Sequence, residues 1–129
     1  MNKDLTLKQH HIIAERIANS SLISFMDTHF IGNNNHQLCE KIVCKDGLTL
    51  SVQAGAHNYC RPRQNAPTAS YAYYTHFEVG FPSKRVELLM SYAEDKDDPT
   101  QTVYGRVPRE LIEQVIAEHG GINDQQVNI

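Results

Sequence analysis

Asp46-Gly47 constrains this chain more than any other pair of residues. Both can take the positive φ angles that a two-residue β-hairpin turn demands, and the pair sits between two runs rich in apolar residues. After it, Leu48, Leu50, Val52 and Ala54 alternate with Thr49, Ser51 and Gln53. That period of two predicts a strand with one buried and one wet face. Before it, LCEKIVC supplies the partner strand. YTHFEVGF repeats the pattern, with Phe77, Val79 and Phe81 on one side and His76 and Glu78 on the other.

Helical periods frame these strands. Leu7, Ile13, Ile17, Leu22, Ile23 and Met26 predict a helix from about Leu7 to Asp27, with Thr6 and Gln9 in capping-box spacing. FIGNNNHQ is then a loop. Ser83 is placed to cap a helix whose stripe is Val86, Leu89, Met90 and Ala93. TVYGRV predicts a short edge strand, and Pro108 suits the first turn of a last helix on Leu111, Ile112, Val115 and Ile116. Gly120-Gly121 closes that helix, and Gln125 onward is expected to fray.

The order α-β-β-β-α-β-α implies an α+β fold, a mainly antiparallel three- to four-stranded sheet with helices packed on one face. At 129 residues the chain is expected to form a single domain over 1–129. With no long apolar run and no signal-like start, the expectation is a cytoplasmic protein without membrane contact. An odd count of three cysteines, Cys39, Cys44 and Cys60, suits a reducing compartment rather than a disulfide framework.

The long connection from Gly55 to Ala72 carries the chemistry. HNYCRPRQN sets Arg61 and Arg63 around Pro62, in a stretch with no carboxylate between Asp46 and Glu78. Tyr59, Tyr71, Tyr73 and Tyr74 lie in or beside it. Arginine forks and tyrosines are the chemistry of interface anchors and of nucleotide stacking. A second candidate contact is the acidic run EDKDD, with Asp95, Asp97 and Asp98. It also offers Arg61 and Arg63 an internal partner. The formal net charge of −3 argues against direct nucleic-acid binding.

Two further chemistries are in view. Cys60 is a candidate nucleophile with His57 or His76 as its base. Cys39, Cys44, His57 and Cys60 are ligand types that zinc accepts. Cys39 and Cys44, an odd number apart on one strand, are however expected to point to opposite faces. No nucleotide, metal or hydrolase motif is present, so no cofactor is expected.

The phrases HNYCRPRQN, YTHFEVGFPS and DDPTQTVYGRVP with its later HGG resemble segments of small phage and prophage proteins. That group includes inhibitors of host defence such as anti-CRISPR proteins. The resemblance spans about Leu48 to Gly121 and assigns no functional residue. It implies a non-catalytic protein that binds and blocks a host protein complex, a CRISPR effector among the candidates. The alternatives are a nucleotide-binding sponge or sensor using the Arg/Tyr loop, and a small enzyme using Cys60. Homodimerisation through the open sheet face or the edge strand is also expected.

Overall fold

The computed structural model describes residues 21–31, 38–67 and 70–123. Helix α1 spans Ser21–Thr28, strand β1 Ile42–Val43 and β2 Thr49–Gln53. A 3₁₀ turn at Tyr71–Tyr73 precedes β3, His76–Gly80. A 3₁₀ helix at Glu87–Tyr92 leads to β4, Val103–Pro108, and helix α2, Arg109–Glu118. The strands form one antiparallel sheet in the order β1-β2-β3-β4. The fold is therefore α+β in the expected order. The amino-terminal part of the predicted first helix, the asparagine-rich loop and the residues from Gln125 lie outside the described residues.

The hairpin turn forms where Asp46-Gly47 demanded it. Gly47 takes φ 98°, and the Asp46 carboxylate accepts the Leu48 N–H at 3.0 Å. Registers Ile42↔Leu50, Val52↔Val79, Val79↔Tyr104 and Phe77↔Val107 align buried side chains on one face. These join Leu22, Phe25 and Met26 of α1 and Ile112, Val115 and Ile116 of α2 in a single core. Each large apolar side chain removed from water there contributes about 1.5–3 kcal/mol. α2 ends in a glycine cap: Gly120 and Gly121 have φ near 90°, and the Gly121 N–H returns to the Ile116 carbonyl at 2.9 Å.

Three local expectations are corrected. The Val86–Ala93 stripe winds as a 3₁₀ helix, not an α-helix, and Ser83 does not cap it. The Ser83 hydroxyl instead accepts the Thr49 N–H at 3.0 Å, while its own N–H donates to the Thr49 carbonyl at 2.8 Å. Cys39 and Cys44 do not face apart. Glu40 and Lys41 are both exposed in succession, so the alternation slips by one and both thiols are buried.

Candidate functional site

The sheet face away from the core carries Ser51, Glu78 and Arg106, and the chain after β2 crosses it. Gly55 and Cys60 clip this crossing loop at its base. The Gly55 N–H donates to Cys60 Sγ at 3.3 Å, and the thiol donates back to the Gly55 carbonyl at 3.2 Å. At the loop's tip, Glu78 accepts from Asn58 Nδ2 at 3.1 Å and from the Tyr59 N–H at 3.2 Å. Arg61 then returns to the sheet as a β-bridge to His76, and the Arg61-Pro62 peptide is cis.

β4 is shaped to receive Tyr59. Between the pairs Phe77↔Val107 and Val79↔Tyr104, Glu78 stands opposite two residues, Gly105 and Arg106, which is a β-bulge. Arg106 takes φ 50°, and its N–H donates to the Tyr59 carbonyl at 2.8 Å. A Cβ on Gly105 would stand 3.3 Å from Tyr59 Cβ, so the glycine leaves the room that this approach needs. Tyr59 is 43% exposed, and its ring lies under two guanidiniums, Arg63 at 5.0 Å and Arg106 at 5.9 Å from the centroid.

The cluster thus brings together Tyr59 and Arg63 with Asn58, Glu78, Gly105 and Arg106. Arg61, Arg63 and Arg106 are all exposed, and none forms an ion pair among the described residues. Arg106 had one legible signal, a glycine inside a strand pattern, which marks a bulge. Glu78 had none beyond being a lone carboxylate on the wet face.

Other expected contact residues lie elsewhere. Tyr71 and Tyr74 are core residues, 7% and 0% exposed, and are not available to a partner. The Tyr74 hydroxyl donates to the Gln64 carbonyl at 2.7 Å, and burial pushes its phenol up to about 12. Tyr73 is half-buried, packs edge-on against Tyr74 and accepts a hydrogen bond from Gln64 Nε2. Asp95, Asp97 and Asp98 are exposed at the other end of the sheet, where the Glu94 N–H meets the Val103 carbonyl. Their loop is held by its own bonds, with Asp95 accepting the Asp97 N–H at 3.0 Å.

The buried arginine is one that sequence reasoning did not single out. Arg109 is 7% exposed and donates from Nη2 to the carbonyls of Ala72, at 3.0 Å, and Tyr74. Burial holds its pKa below the ordinary arginine value, with Glu110 and Glu113 opposing that shift.

Cys60 is poorly placed for nucleophilic work. It is 1% exposed, and burial raises its pKa, which disfavours the thiolate. His76 Nδ1 pairs with the Thr75 hydroxyl at 2.7 Å rather than with this thiol, and His57 points into solvent. Among the described residues no three His, Cys, Asp or Glu side chains stand together as a metal site requires, and the three cysteines are free. No helix among them is long and apolar enough to cross a membrane. Neither a protein-family model, nor a curated protein, nor a solved structure matches the chain.

Proposed function

We propose that this chain is a non-catalytic binding protein, of the phage kind its sequence resembles, that blocks a host protein complex. A CRISPR effector in the bacterial cytoplasm is the target class to which the resemblance points. Its contact surface is the Tyr59 cluster with Arg61, and the acidic loop of Asp95, Asp97 and Asp98 is a second, separate contact. One observation supports this reading above the rest. An exposed tyrosine carries two guanidiniums that have no carboxylate partner among the described residues. Tyrosine and arginine at the centre of a surface patch are the residues that most often dominate binding energy.

Capture from bacterial lysate tests it, with wild type and Tyr59→Ala as baits. The expected result is a defined host complex retained by wild type and lost with Tyr59→Ala, its activity falling as the protein is titrated in. Equal capture by both baits removes the cluster from the contact. A nucleotide that raises the melting temperature of wild type but not of Tyr59→Ala would favour a nucleotide-binding sponge or sensor instead.

A further inference from the structure

The Tyr59 cluster also indicates the chemistry of its ligand, an inference that rests on the contact-surface reading above. A guanidinium lying on an aromatic ring keeps its N–H edge free, and a carboxylate meets that edge with two parallel bonds. Two such guanidiniums stand over the one ring of Tyr59.

Glu78 narrows the class further. Its carboxylate, fixed by Asn58 Nδ2 and the Tyr59 N–H, puts a negative charge in the floor of the site. A phosphodiester backbone carries charge at every step and meets that repulsion, as well as the net −3 of the whole chain. A protein segment carries its carboxylates on flexible side chains, which can turn toward the guanidiniums and away from Glu78, whereas backbone phosphates cannot. The site is also built rather than incidental. Arg106 is held in the left-handed region, which a non-glycine residue adopts only where its surroundings enforce it, and its N–H is fixed by Tyr59. We infer that Arg63, Tyr59 and Arg106 form a receptor for the side-chain carboxylates of an acidic protein segment.

Fluorescence anisotropy with labelled deca-glutamate tests this in purified protein, so its outcome does not depend on finding a host complex. Arg63→Gln and Arg106→Gln should each weaken deca-glutamate binding about tenfold, the loss expected for one charge-assisted contact. Arg85→Gln makes the same change in net charge at an exposed arginine paired with Glu87, outside the cluster, and should leave binding unchanged. Arg63→Lys keeps the charge but not the fork and should weaken binding too. Equal weakening by Arg85→Gln overturns the inference, since any positive charge would then do. So does tighter binding of a ten-residue oligothymidylate than of deca-glutamate through the same arginines, or no deca-glutamate binding at low salt. If deca-glutamate binds through the cluster while the lysate yields no target, the receptor stands and the host-blocking reading falls.

Discussion

At the residue scale, Arg109 and Arg61 show how position decides what a guanidinium does. Arg109 is buried against the Ala72 and Tyr74 carbonyls, whereas the Arg61 side chain reaches solvent and only its backbone bonds, with Thr75 and His76. Arg109→Ala removes two charge-assisted bonds and opens a void, so it should cost about 2–4 kcal/mol in urea unfolding. Arg61→Ala should cost less than about 1 kcal/mol. Comparable losses in the two variants would mean that Arg61 is also structural. The thiols give a second prediction. Burial pushes Cys39 and Cys44 up to about 11, while an unfolded thiol titrates near 8.5. Their folded pKa is raised, so their contribution to stability is complete below about pH 8.5 and is lost as pH climbs through 11. An aromatic disulfide reagent at pH 8 should therefore label these two at least about a hundredfold faster in denaturant than in the native protein. Rapid native labelling of either would contradict their burial.

At the element scale, the first hairpin is completed by a side chain. The register Ile42↔Leu50 would, if continued, set Cys39 opposite Gln53. The strands part there, and the Gln53 amide spans the gap. Its Oε1 accepts the Cys39 N–H at 2.8 Å and its Nε2 donates to the Cys39 carbonyl at 2.9 Å. Gln53→Ala leaves both buried groups unpaired and should cost about 2–6 kcal/mol, at roughly 1–3 per group. A loss below about 0.5 kcal/mol would mean that water replaces the amide. The same residue marks where the sequence stops being legible. Leu48, Leu50, Val52 and Ala54 announce β2 because burial on one face enforces a period of two. Gln53 lies off that face and is still 7% exposed, because its partner comes from a segment whose path no local pattern records. Ser83 misleads for the same reason, since its partner Thr49 belongs to a distant strand. The tyrosines fail differently. In a 3₁₀ turn, residues three apart share one side, so Tyr71 and Tyr74 both turn into the core. Their closeness to Tyr59 in sequence says nothing of that. Of the cluster around Tyr59, Arg63 shares its loop and is named by the sequence, whereas Arg106 was not singled out and is signalled only by the glycine of the bulge.

At the scale of the whole molecule, the arginines and the acidic loop occupy opposite ends of the sheet. Arg61 bridges to His76 at the start of β3, where Pro108 ends β4. Glu94 pairs with Val103 at the far end, beside Gly80, roughly 15 Å away at the rise of an extended strand. The stretch without carboxylates therefore has no acidic loop folded onto it. Homodimerisation, expected from an open sheet face or the β4 edge, meets a face crossed by the loop that carries Asn58 and Tyr59 and an edge where Ala93 already pairs with Tyr104. Light scattering at micromolar concentration decides it, and a strictly monomeric mass would reject it. The central claim is that the arginines around Tyr59 serve contact and not cohesion. Affinity for the captured host complex, measured beside melting temperature for Arg61→Ala plus Arg63→Ala, tests it most directly. Two lost charge-assisted contacts should weaken binding by about 3–6 kcal/mol, or two to four decades. One lost cation–π contact, at about 0.5–1 kcal/mol, should lower melting by no more than about 5 °C. Melting that falls by about 10 °C or more with affinity kept would contradict the account and make these arginines an internal staple.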